Sequence, residues 1–146
     1  MYLTIRWMAP EDLDRVAWIW LEGNLSGHPF IPASYWKENA PAVREQLAAA
    51  AVLVCQREGE IAGFVGLDGE SIAGLFVAPD QQNRGVGTAL LRHCQQRYPR
   101  LRLTVYEENE GARRLYERLG FRQTASRETP HPGHRELVME WCAAGR

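Results

Sequence analysis

The stretch from Ser71 to Cys94 constrains the fold more than any other. Ser71 to Val77 carries Ile72, Ala73, Leu75, Phe76 and Val77 on both of its faces, as expected for a strand covered on both sides. Pro79 stops it. After a polar turn, a helical pattern runs from about Gly85 to Tyr98, with Val86, Leu90, Leu91 and Cys94 on its apolar stripe. The turn, Gln82-Asn83-Arg84-Gly85-Val86-Gly87-Thr88, sets two glycines at the helix start. Backbone N–H groups there have no intrahelical partners, and the helix dipole adds partial positive charge. Without side chains at Gly85 and Gly87 a phosphate can approach those amides, and Arg84 can add a charge-assisted contact. Two other phosphate patterns fail: Gly87 is followed by Thr88-Ala89 rather than Lys-Ser/Thr, and Leu90 stands where a dinucleotide fingerprint wants a third small residue.

The remaining elements fall around this unit. Leu3 to Trp7 alternates as a first strand. Pro10-Glu11-Asp12-Leu13 opens a helix whose apolar face is Leu13, Val16, Ala17 and Trp20. Gly23 to Pro32 reads as a loop, and a second helix spans about Ser34 to Ala50 with an interruption near Pro41. Ala51 to Arg57 and Glu60 to Leu67 flank Glu58-Gly59 as a hairpin, and Asp68-Gly69 turns the chain into the apolar strand. Leu101 to Tyr106 is a strand, Glu110 to Leu119 a helix closed by Gly120, and Arg122 to Glu128 and Glu136 to Trp141 are the last strands. The order β-α-α-β-β-β-α-β-α-β-β is that of a mixed α/β domain, and residues 1–146 show no repeat or linker that would divide it.

Composition narrows the function classes. A net charge of −1 gives no electrostatic footprint for nucleic acid. No apolar run is long enough for a membrane span, and no basic-then-apolar leader opens the chain, so it reads as cytoplasmic. Cys55, Cys94 and Cys142, odd in number and far apart, read as reduced thiols in the core. His131 and His134 lack further ligands at metal spacing and read as a polar hairpin loop, so no metal is expected.

Gln82-x-x-Gly85-x-Gly87, directly after Leu75-Phe76-Val77-x-Pro79, resembles the coenzyme A signature of the GNAT acetyltransferase superfamily. Val105-Tyr106-x-x-Asn109-x-x-Ala112-x-x-Leu115-Tyr116-x-x-Leu119-Gly120-Phe121 resembles that family's second conserved block. Trp20-Leu21-Glu22, His28-Pro29-Phe30-Ile31 and Tyr35-Trp36 are further similar to the short bacterial YiaC-type N-acetyltransferases. The resemblance implies a mixed, mostly antiparallel sheet with helices on both faces and a splay between the fourth and fifth strands. It implies acetyl-CoA as cosubstrate, lying in the splay against the backbone of Leu75, Phe76 and Val77, its pyrophosphate on the amides of Gln82, Asn83, Arg84, Gly85, Val86, Gly87 and Thr88. A primary amine would attack directly in a ternary complex. The implied acceptor is a protein lysine, with a small-molecule amine or a non-catalytic acyl-CoA sensor as alternatives, and the assembly a monomer or homodimer.

Asn109, Arg113, Tyr116 and Gly120 recur on one helix face. Asn109 suits an N-cap, and the resemblance adds a coenzyme contact. Arg113 reads as a solvated or phosphate-facing charge. Tyr116 matches the family's tyrosine that donates a proton to the leaving thiolate, or else is a packed core residue, with Tyr106 the weaker candidate. For the base, Glu70 and Asp68 lie just before the splayed strand, with His28 in the covering loop; Glu70 is the candidate carried forward. Trp18, Trp20, Phe30, Tyr35 and Trp36 are available to line an acceptor slot.

Overall fold

A computed structural model describes residues 2–143. Its strands are β1 (Leu3–Trp7), β2 (Ala51–Arg57), β3 (Glu60–Asp68), β4 (Ser71–Val77), β5 (Arg100–Tyr106), β6 (Arg122–Glu128) and β7 (Arg135–Cys142). They form one sheet in the order β1-β2-β3-β4-β5-β7-β6. Every neighbouring pair is antiparallel except β4 and β5. The helices are α1 (Leu13–Gly27), α2 (Ala33–Ala49), α3 (Val86–Arg97) and α4 (Glu110–Arg118).

Strand alternation divides the core in two. Val52 and Val54 of β2 join Val16 and Ile19 of α1 and Leu47 of α2 on one face. Leu53 and Cys55 point the other way, into a larger cluster with Leu90, Leu91 and Cys94 of α3 and Leu103, Val105 and Met139 from β5 and β7. Helices on both faces are therefore required by the period-two pattern of the central strands.

Four local expectations are corrected. Gly23 to Pro32 is not all loop, because α1 continues to Gly27. Asn24 sits buried in that last turn, its Nδ2 donating to the Trp20 carbonyl at 2.8 Å. Gly23 is tolerated mid-helix because α1 crosses β4 there: a Cβ would lie 3.0 Å from Cδ1 of Phe76. Pro41 does not interrupt α2. Pro41 and Lys37, whose carbonyl loses its partner, are both exposed, so that carbonyl is left open to solvent rather than buried. Thirdly, β4 is not buried on both sides; Ile72 is its one fully buried residue, and Leu75 to Val77 are half-buried. Lastly, Cys142 is exposed at the end of β7, whereas Cys55 and Cys94 are core thiols pushed up to about 11 by burial and thereby kept unreactive.

Candidate active site

The half-burial of β4 has a cause that also makes the site. β4 and β5 pair only at Ser71 with Arg102, where the Arg102 N–H donates to the Glu70 carbonyl at 3.0 Å. Beyond that bridge the strands diverge. An extra residue, Ala73, bulges β4 between the Gly66–Gly74 and Leu67–Ile72 pairs and bends it away. The gap opens into a cleft of about 1130 Å³ bounded by Phe76, Val77, Gln82, Tyr106, Leu115 and Tyr116, with α1 and α2 on its far wall.

Backbone polarity inside the gap follows from register. The Ala78 N–H donates to the Ala62 carbonyl at 2.8 Å. By antiparallel alternation Phe76 then turns its amide to β3, while Leu75 and Val77 turn theirs toward the gap. Of the three residues expected along the coenzyme tail, Leu75 and Val77 thus present free N–H groups, and Phe76 presents its ring. The Val77 carbonyl accepts from Gln82 Nε2 at 3.1 Å, which folds the following turn back over the strand end.

That turn has an alternating backbone. Asn83 (φ 61°) and Gly85 (φ 80°) are left-handed while Arg84 between them has negative φ, an alternation that aims successive N–H groups into one concavity. Gly85 is the N-cap of α3, and its backbone angle is what demands glycine. Gly87 has a packing reason as well: a Cβ would meet Leu115 Cδ2 at 3.1 Å, so its missing side chain admits α4. Val86 is buried in the core, leaving only its backbone for a ligand, and Thr88 lies in the first turn of α3.

Helix α4 delivers Tyr116 to the cleft. Its ring is buried, 5.9 Å from that of Phe121, and desolvation raises the phenol above its ordinary value. Asn109 caps α4, its Oδ1 accepting from the Ala112 N–H at 3.3 Å. With Oδ1 so used, its Nδ2 faces His28 Nε2 at 3.2 Å. His28 Nδ1 meets Asn24 Oδ1 at 2.9 Å. Asn24 Nδ2 is spent on the Trp20 carbonyl, so the whole relay runs one way: Asn109 donates to His28, which donates to Asn24. Burial lowers the His28 pKa to about 4, and the imidazole is neutral, as this relay requires.

The other candidates divide between cleft and surface. Arg113 turns back to donate to the Glu107 carbonyl at 2.9 Å and is not among the cleft-lining side chains. Glu70 faces Arg100 across 4.0 Å in the β3–β4 turn, half exposed and outside the cleft, whereas Asp68 lines it. Trp20, His28 and Trp36 line the cleft; Trp18 is exposed beneath Arg15. Phe30 and Tyr35 do not line the cleft and pack instead on the hairpin loop: His131 sits edge-on against Tyr35, and His134 stacks near Phe30 while pairing with Glu108. Glu136 also lines the cleft and was invisible to sequence reasoning, since only its strand register against Tyr106 brings it there.

The family model described as "Acetyltransferase (GNAT) domain" matches residues 31–142. Peptidyl-lysine N-acetyltransferase YiaC of Escherichia coli is 41% identical over 119 residues, covering 80% of this chain and 82% of that protein. Peptidyl-lysine N-acetyltransferase YjaB of E. coli is 32% identical over 134 residues, 91% of each. The solution structure of apo YjaB superimposes with a TM-score of 0.86 over 99% of this chain and all of that one. The fold is shared more widely: the PaiA N-acetyltransferase of Thermoplasma acidophilum, solved in complex with coenzyme A, is only 17% identical yet reaches a TM-score of 0.79, covering 98% of this chain and 100% of that one.

Proposed function

The chain belongs to the GNAT acetyltransferase family, and from that premise we propose that it moves the acetyl group of acetyl-CoA onto the side-chain amine of a protein lysine, in one step within a ternary complex. The observation that carries this reading is the β4–β5 gap with Tyr116 on its wall. The two relatives named above as peptidyl-lysine acetyltransferases support lysine as acceptor.

The residues present suit acetyl-CoA. The concavity of Gln82 to Gly85 continues into the first amides of α3, where a pyrophosphate is satisfied by backbone donors. The gap-facing amides of Leu75 and Val77 suit the polar tail, and bound there the thioester supplies an activated acetyl group. The Val77 N–H is placed to polarise the acetyl carbonyl; loss of one such donor typically costs about 3–4 kcal/mol of barrier. The cleft admits the amine from the opposite side, so no acetylated enzyme is needed.

Tyr116 holds a proton at its hydroxyl for the departing sulfur. A phenol near 10 and a thiol near 8.5 leave full transfer uphill by about 2 kcal/mol in water. Burial raises the Tyr116 phenol further, but the same dry cleft raises a thiolate's basicity, so hydrogen bonding comes first and transfer follows as charge develops on sulfur. The reading is tested by incubating the protein with acetyl-CoA and lysine peptides and following thiol release with mass-spectrometric mapping of the product. Acetylation on the lysine Nζ is the expected result; thiol release with polyamines or antibiotics but none with peptides refutes the lysine assignment.

A further inference from the structure

Among the side chains that line the cleft, two carry a formal charge at neutral pH, Asp68 and Glu136, and both are carboxylates. Among the described residues, no arginine or lysine reaches its wall. His28 adds no positive charge, because burial holds it neutral. The cation that suits the coenzyme, Arg84, lies outside, on the turn before α3. The interior is therefore an acidic, ring-lined slot.

Glu136 has the more specific position. Register on β7 sets it beside Tyr106, the last residue of β5, and Thr104 lines the cleft on the same strand. One carboxylate oxygen, Oε1, accepts from Arg127 Nε at 2.7 Å across β6. No other hydrogen bond reaches this carboxylate among the described residues, which leaves Oε2 unused. Arg127 is more than half exposed, so water screens its charge and it orients Glu136 more than it neutralises it. Beside them the rings of Tyr106, His28 and Trp36 supply an apolar wall, His28 lying 4.9 Å from Tyr106 and 5.5 Å from Trp36.

Resting on the lysine reading above, we infer that Glu136 is the receptor for the acceptor's ammonium group and selects cationic primary amines on an aliphatic stem over amines bearing a carboxylate or phosphate. The free oxygen gives a charge-assisted hydrogen bond, and the ring wall takes the methylene stem. An anionic acceptor meets the like charge of Glu136 and no lining cation, which is discrimination by repulsion. Glu136 acts as a receptor rather than as the base: with Oε1 held by Arg127, its free oxygen is the one that holds the ammonium. Its effect therefore belongs in binding rather than in the chemical step, and the ammonium proton leaves to water before attack.

Two acceptors separate this from a structural role: a lysine peptide, and the same peptide with an aminooxy side chain, whose nitrogen is uncharged at neutral pH. Glu136→Gln is expected to raise KM for the lysine peptide about 10–100-fold with kcat nearly unchanged, and to leave the aminooxy peptide within about threefold. Glu136→Asp, which keeps the charge, recovers part of the lysine KM. Equal losses on both peptides, or no loss on either, overturn the assignment. A binding measurement separates this from failure of the lysine reading itself. With coenzyme A present, n-butylammonium titrated into the wild-type protein should bind about 10–100-fold more tightly than into Glu136→Gln, whether or not any peptide is acetylated. Equal affinities refute the receptor role.

Discussion

Tyr116 shows how one environment decides what a side chain can do. Buried against Phe121, its phenol is held above the ordinary value near 10, so it stays a proton donor across the neutral and mildly alkaline range. Replacement by Phe keeps the ring and removes the donor. Tyr116→Phe is predicted to lower kcat by about 10²–10⁴-fold, the usual span for a general acid, with the acetyl-CoA dissociation constant unchanged. Steady-state kinetics beside calorimetry check both halves, and an unaltered kcat removes Tyr116 from the mechanism. The sign of the shift adds a second readout. A raised phenol pKa moves the alkaline fall of kcat upward, so wild-type activity should not decline through about pH 10 from loss of this proton. At this scale motif reading picked out Tyr116, which lines the cleft, and Gly85, which has the left-handed backbone that demands glycine. The packing of Gly87 against Leu115 had no local signal, since Leu115 arrives from a helix far along the chain. Glu136 had no local signal at all, because its place in the cleft is a property of strand register.

Between elements, the polar relay Asn109–His28–Asn24 ties the N-cap of α4 to the last turn of α1 across the mouth of the cleft. It has one polarity, and the imidazole must be neutral for its Nε2 to accept from Asn109. The folded-state pKa, lowered to about 4, therefore carries a linkage. An unfolded histidine binds its proton near 6.5, so between about pH 6.5 and 4 the unfolded chain takes up the proton that the native relay refuses. The resulting stability is full above that window and is lost as pH falls through it. His28→Gln cannot titrate, so the fall in Tm between about pH 7 and pH 4.5 should be smaller in this variant than in wild type. An equal fall in both proteins excludes His28 as the source. This connection also marks what periodicity could and could not disclose. Ser71–Val77 and Ala51–Arg57 stand where apolar runs and the turn residues between them put them. The end of α1 does not, because Gly23 and Asn24 look like breakers until Phe76 lies under one and His28 bonds the other.

Taken whole, the molecule is a sheet of two halves, β1 to β4 and β5 with β7 and β6, that share a core but barely share a ladder. Leu53 and Val65 from one half and Leu101, Leu103 and Met139 from the other pack in a single cluster under α3. Above that core the halves meet only at Ser71 and Arg102. The gap thus costs little packing and leaves backbone groups of β4 without strand partners, available to a ligand that completes the ladder. This arrangement predicts a residue-alternating pattern of amide exchange along one strand. In the free protein the N–H groups of Phe76 and Ala78, turned to β3, should exchange slowly, while those of Leu75 and Val77, turned to the gap, exchange fast. Addition of coenzyme A should slow Leu75 and Val77 selectively, and at about 100 times its dissociation constant it should also stabilise the native state by about 2.7 kcal/mol. Residue-resolved hydrogen exchange by NMR reads both. Uniform slowing of all four amides would mean that the coenzyme merely stabilises the sheet, and that these backbone donors do not meet it.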